Sequence, residues 1–279
     1  MALSKEHIKR VISALILIPI VLVLTLWSYT PPFAAALYFI TLLASYEMIN
    51  LAKKAGEEVF ALVAWFGAAV IPLIFHFDEF WAAIFVSVLV IIVFLSFFLK
   101  LLQANPAETV FRTVSVNIFI ASLTPLFLSF IWLIRNLDGG GWWILLLFVS
   151  VWGSDICAYY IGMNFGKHRI IPKISPKKTL EGFIAGFIGG ILAGGLFYLF
   201  IIPTKYTSIT NLQLALLLVD VIAAGILGDL FESLLKRNAG LKDSGNIIPG
   251  HGGVLDRADA IIFAAPVMYI YLKIFFHIN

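Results

Sequence analysis

Nine uninterrupted apolar runs, each long enough to cross a bilayer once coiled into a helix, constrain this chain more than any single motif does. They fall at residues 11–28, 32–52, 58–77, 80–102, 110–134, 142–165, 180–202, 211–235 and 258–276. The runs are continuous, whereas barrel strands alternate apolar and polar positions over about ten residues, so helices are expected and a barrel is not. Of the 279 residues 61% are apolar and 13% charged, against roughly 45–50% and about 25% in soluble domains. No stretch outside the runs is long enough for a separate soluble domain. The expected fold class is all-α, a polytopic integral membrane protein of about nine transmembrane helices.

Lys9 and Arg10 give the first run the look of a secretory leader. Its 18 apolar residues exceed a leader core, however, and no small-residue cleavage site follows Ser28 before Pro31 and Pro32, so it is read as a span. The single cysteine, Cys157, excludes an intrachain disulfide framework. Orientation follows from the basic residues, which gather on the cytoplasmic side of membrane proteins. All of the 19 Lys and Arg residues except Arg135, Lys205 and Lys273 lie at the amino terminus or in the second, fourth, sixth and eighth connections. That alternation places the amino terminus in the cytoplasm and the carboxyl terminus outside.

The two parts of the chain differ in character. Residues 1–150 are nearly free of ionisable groups within the runs, Glu47 being the main exception, and read as scaffold. Residues 151–279 carry Asp155, Asp220, Asp229 and Glu232 in apolar sequence, with Asp256 and Asp259 opening the last run. Intramembrane carboxylates are costly and mark function, so the chemistry is expected there.

Asp229, Glu232, Ser233 and Lys236, with Arg237 following, share a helix face by their i, i+3, i+4 and i+7 spacing. A solvated helix end would account for Lys236 and Arg237; it does not account for carboxylates flanked by Ile-Leu-Gly and Leu-Phe. The next connection contains Lys242, Asp243 and His251 among five glycines, including Gly252 and Gly253. Glycine lets successive backbone N–H groups approach an anion, and the loop reads as a phosphate cradle. Asp256 and Asp259, on one face, with Arg257 between them, then face the Asp229 helix as a candidate divalent-metal set for phosphoryl chemistry. His251 suits a ligand or a hydrogen-bonded loop residue equally. Upstream, Lys177 and Lys178 lie against a helix amino terminus that Thr179 caps and Glu181 charges, which suits phosphate; positive-inside bias is the plainer account of Lys167, Arg169 and Lys173.

The run from Ser233 to Asp259, SLLKRNAGLKDSGNIIPGHGGVLDRAD, resembles the signature of the phosphatidate cytidylyltransferases, and SPKKTLEG resembles their second block. Ala258 and Leu180 depart from it, where a larger aliphatic residue and tryptophan are usual. The resemblance implies transfer of a cytidylyl group from CTP to phosphatidic acid, giving CDP-diacylglycerol and pyrophosphate in phospholipid biosynthesis, with Mg2+ as cofactor and a homodimer as assembly. It implies metal binding by Asp229 and Asp256, with Glu232 and Asp259 as further ligands. Lys236, Lys242 and Arg257 would act in catalysis. Lys177, Lys178, Thr179, Glu181, Ser233, Arg237, Asp243, His251, Gly252 and Gly253 would contact substrate. Whether a second metal or a monovalent cation joins the site stays open, and no nucleic-acid partner is expected. The implied location is a bacterial plasma membrane, with the site facing the cytoplasm.

Two other readings fit parts of the pattern. Another headgroup phosphotransferase or lipid kinase would share the metal and basic clusters, but the paired aspartate motif of the CDP-alcohol enzymes is missing, since Asp138-Gly139 runs into Gly140, Gly141 and two tryptophans. An ion-coupled transporter would spread polar residues through the depth of several spans, whereas here charge gathers at one surface.

Overall fold

Long apolar runs become helices because a helix pairs its own N–H and C=O groups, which have no water to turn to in hydrocarbon. The computed structural model describes residues 15, 18–75, 81–103, 107–172, 174–206, 209–247 and 252–278. Its helices are α1 (Pro31–Lys54), α2 (Ala61–Ile74), α3 (Trp81–Leu101), α4 (Val110–Arg135), α5 (Gly140–Phe165), α6 (Leu180–Phe200), α7 (Asn211–Asn238) and α8 (Leu255–Ile270), the last continuing as a π-helix over Tyr271–Phe275. Among the described residues seven helices are long and apolar enough to span a bilayer; α2 is apolar but has 14 residues. The first expected span lies partly outside the described residues, and within it 18–26 are helical. The chain is thus an all-α, polytopic membrane protein.

Two helix limits differ from the hydropathy reading for visible reasons. α7 runs three residues past its apolar stretch and ends in a Schellman motif, in which Gly240 (φ 68°) takes the left-handed position, its N–H reaching the Arg237 carbonyl and the Leu241 N–H that of Lys236. α8 begins at Leu255, earlier than hydropathy suggests, because the Val254 carbonyl already accepts from Arg257 and Ala258.

The helices group into two compact units interleaved along the chain. One holds Pro31–Trp132 and Leu235–Ala258; the other holds Leu15–Thr30, Leu133–Leu234 and the residues from Asp259 onward.

In the first unit, α2 and α4 meet at a proline-made contact. Pro125 has no N–H, so it cannot bond the carbonyl of Ala121 one turn earlier; that carbonyl lies directly against Gly67, where any Cβ would collide with it. Nearby, α2 begins after Phe60, whose side chain cannot cap. Asn117 of α4 does so instead, accepting from the Phe60 N–H at 2.7 Å and donating to the Glu58 carbonyl at 2.8 Å. The Glu58 carboxylate receives Lys100, Gln103 and Thr113, and the Arg112 guanidinium holds the Glu57 carboxyl below its ordinary range.

In the second unit, α5 and α6 pack through a stripe of Gly182, Gly186, Gly190 and Gly194, every fourth residue of α6. A Cβ at Gly190 would meet the Ser150 carbonyl at 2.8 Å and Ser154 at 3.0 Å, so the absent side chains set how close the helices come. Phe94, Phe98, Leu192, Leu196 and Phe200 stay exposed, as a lipid-facing surface requires.

Gly67→Ala should cost about 1–3 kcal/mol, because its methyl meets a backbone carbonyl rather than a yielding side chain. Gly195→Ala, with open space around the position, should leave stability equal or slightly higher. Thermal aggregation in detergent checks both; equal temperatures for the two variants would refute the packing account.

Candidate functional site

The second motif block is folded onto itself before it meets anything else. The Thr179 hydroxyl caps α6 by accepting from the Gly182 N–H at 3.2 Å. Glu181, in the first turn, accepts from the N–H groups of Lys167 and His168 and lies 2.6 Å from the His168 ring. Backbone bonds from Leu180 to His168 and from Ile170 to Lys178 close the loop. Thr179 and Glu181, expected to contact substrate, are engaged in holding their own loop. Lys177 is left exposed, while Lys178 turns to α7 and pairs with Asp229 at 2.5 Å. Two motif blocks 51 residues apart in sequence are thereby brought together within the second unit. Each side chain is about one-third exposed (29% and 32%), but the Lys178 ammonium nitrogen itself is buried, so the exposed part of that lysine is its stem.

Around that pair, the Ser233 hydroxyl is 3.5 Å from Asp229, long for a hydrogen bond. Glu232 is buried on the same helix. Gly228 brings α8 close, with the Asp259 carbonyl against its Cα, so Asp229 and Asp259 sit on helices that cross beside them. Asp155 and Tyr159 are exposed on α5.

The first unit holds the other cluster. Lys236, at the end of α7, pairs with Asp256 at 2.6 Å, and both side chains are largely buried (13% and 6% exposed). The second Asp256 oxygen accepts from the N–H of Ser244 at 2.9 Å and of Gly253 at 2.8 Å, and the Ser244 hydroxyl is 2.9 Å away. Gly252 takes φ 81°, and a Cβ there would sit 2.8 Å from that oxygen, so glycine is required on both counts. Arg237 donates to the Leu241 carbonyl, and Lys242, Asp243 and Arg257 are exposed. His251 lies outside the described residues.

Sequence reasoning missed Glu47. It stands on α1, 2% exposed, and its carboxylate accepts from the N–H groups of Val254 (3.0 Å) and Leu255 (2.7 Å) and touches the Ser244 hydroxyl (3.0 Å). Gly245 and Gly253 pack their Cα atoms against it. The available signal was the carboxylate itself, the main one among the runs of the first 150 residues; its partners, about 200 residues away, had none.

Among the described residues no three acidic, histidine or cysteine side chains gather into a cage for metal. The donor chemistry nonetheless fits magnesium, which takes one or two carboxylates and completes its shell with water and substrate phosphates. Asp229 and Asp256 each carry an ammonium group on one oxygen, so each already sits where a cation is accepted.

The sequence profile of the cytidylyltransferase family matches residues 8–275. The phosphatidate cytidylyltransferase of Thermotoga maritima is 35% identical over 268 residues, 95% of this chain and 96% of that one. That of Bacillus subtilis is 42% identical over 148 residues, 51% of this chain and 52% of that protein. That of Aquifex aeolicus is 39% identical over 158 residues, 56% and 58% respectively. The stretches shared with the Bacillus and Aquifex proteins thus take in just over half of their lengths.

The two ion pairs should respond differently to loss of the lysine. Lys236→Met strands a buried carboxylate and should cost about 3–5 kcal/mol. Lys178→Met leaves an Asp229 carboxylate that is about one-third exposed and can be solvated, and should cost less. Melting temperatures in detergent check the order, and a larger loss for Lys178→Met would reverse the assignment of the buried pair.

Proposed function

This chain belongs to the cytidylyltransferase family, and on that basis we propose that it transfers the cytidylyl group of CTP to phosphatidic acid, giving CDP-diacylglycerol and pyrophosphate. The observation that carries the reading is the match to a phosphatidate cytidylyltransferase along 95% of the chain. The Lys178–Asp229 pair, which joins the two motif blocks, supports it.

Both reactants are polyanions, so binding begins with cations. Lys178 and the exposed Lys177 meet phosphate from the loop before α6, and Lys236, Arg237, Lys242 and Arg257 do so from the end of α7, the loop after it and the start of α8. A phosphate oxygen of phosphatidate attacks the α-phosphorus of CTP; the new P–O bond forms as the bond to the β-phosphate oxygen breaks and pyrophosphate departs. That oxygen is already ionised near neutral pH, so no strong general base is needed, and positioning with charge stabilisation does most of the work. Asp229 and Asp256, with Glu232 and Asp259 as further candidates, are the carboxylates that would hold magnesium. When bound, that ion neutralises phosphate charge and polarises the reacting phosphorus. Glu181 and Thr179 hold the shape of the loop that presents the two lysines.

The chain is an integral membrane protein. In this reading it lies in a bacterial plasma membrane with its basic connections in the cytoplasm, where CTP is supplied, and it works as a homodimer. Light scattering in detergent should return about twice the 30.9 kDa of one chain.

Purified protein given labelled CTP, phosphatidic acid and magnesium should form CDP-diacylglycerol, and EDTA should abolish it. Asp229→Asn should lower turnover at least about 100-fold, as expected for loss of a charge-stabilising group. Folded wild-type protein that makes no product in lipid-supplemented micelles would refute the reading. For orientation, Lys242→Cys in a Cys157→Ser background should react with an impermeant thiol reagent only after cells are opened. Labelling of intact cells would place the loop outside.

A further inference from the structure

Glu47 stands in the part of the chain that carries none of the motifs, yet it contacts both ends of the glycine-rich connection. One end is Ser244 and Gly245, the other Gly253, Val254 and Leu255. Its oxygens accept from the N–H of Val254, the residue before α8, and of Leu255, its first residue, and valine offers no side-chain acceptor of its own. The Ser244 hydroxyl lies between Glu47 and Asp256, 3.0 Å from one and 2.9 Å from the other. It has a single hydrogen to donate, so each carboxylate fixes the hydroxyl that the other sees. Asp256 in turn orients Lys236.

We infer that Glu47 is a positioning residue for cytidylyl transfer: it ties down the two ends of the glycine-rich loop and, through Ser244, sets the Asp256 carboxylate and the Lys236 ammonium. This rests on the activity proposed above. Nothing in the arrangement requires Glu47 to touch substrate; it acts through Ser244 and the α8 amino terminus. Glycine at 245 and 253 follows from the same contact, since a side chain at either would occupy the space of the Glu47 carboxylate.

Glu47→Gln keeps the volume but turns one acceptor oxygen into a donor facing N–H groups. Turnover per folded enzyme should fall about 10- to 100-fold, the scale of an ångström-sized misplacement, with KM for CTP and for phosphatidic acid changed less than about threefold. Ser244→Ala should lower turnover in the same direction. The double variant should fall no further than about threefold below Glu47→Gln, because both act along one path. Hydrogen–deuterium exchange adds a readout that does not depend on activity: uptake at 252–256 should rise in Glu47→Gln, with uptake at 61–74 unchanged. A turnover within twofold of wild type, independent multiplication of the two single effects, or unchanged uptake at 252–256 would each overturn the inference. If wild-type protein makes no CDP-diacylglycerol, the proposed reaction fails by itself, and uptake at Val254 and Leu255 still decides whether the tie exists.

Discussion

A helix can pair its backbone with itself everywhere except at its ends, and in a chain this apolar the ends are where polar side chains are placed. α2 and α8 begin after Phe60 and Val254, residues that cannot cap. Each receives its cap from another helix: Asn117 for α2, Glu47 for α8. A local cap is worth about 0.5–2 kcal/mol, and leaving a buried donor unmatched costs about 1–3 kcal/mol for each group. A cap supplied across space also fixes which turn of one helix faces which turn of another. Where the sequence could place a cap locally, as at Thr179, it does so, and that loop is organised from within.

The motif blocks show a second pattern, in which two of their lysines are each paired with an aspartate. Lys178 rests on Asp229 and Lys236 on Asp256. In the first pair both side chains are about one-third exposed but the ammonium nitrogen is buried, while the second is nearly enclosed and held by two further N–H groups and a hydroxyl. The enclosed one anchors the loop around it.

Hydropathy made most of the fold legible, because span limits are set by transfer of side chains from water, a property of composition alone. The exceptions were decided by backbone geometry: α7 runs on to the left-handed Gly240, and α8 starts early because Val254 closes its first turn. In the motifs, spacing identified the face of Asp229, Ser233 and Lys236. It could not show that the lysines of that face and of the preceding loop pair with different aspartates, since such pairings depend on packing between segments 20 to 51 residues apart. Glu47 was visible as an anomaly. Its meaning was not, because partners 197 to 208 positions away leave no periodicity to read.

That separation has a consequence for how the protein is made. Synthesis proceeds at roughly 5–20 residues per second, so the 208 positions between Glu47 and Leu255 correspond to about 10–40 s. Throughout that interval α1 carries a carboxylate whose eventual partners have not been synthesised, and a chain that stops short of residue 244 never acquires them. The amino-terminal helices cannot reach their final arrangement one after another as they leave the ribosome. For that contact they must wait, in membrane or translocon, for about the last eighth of the protein.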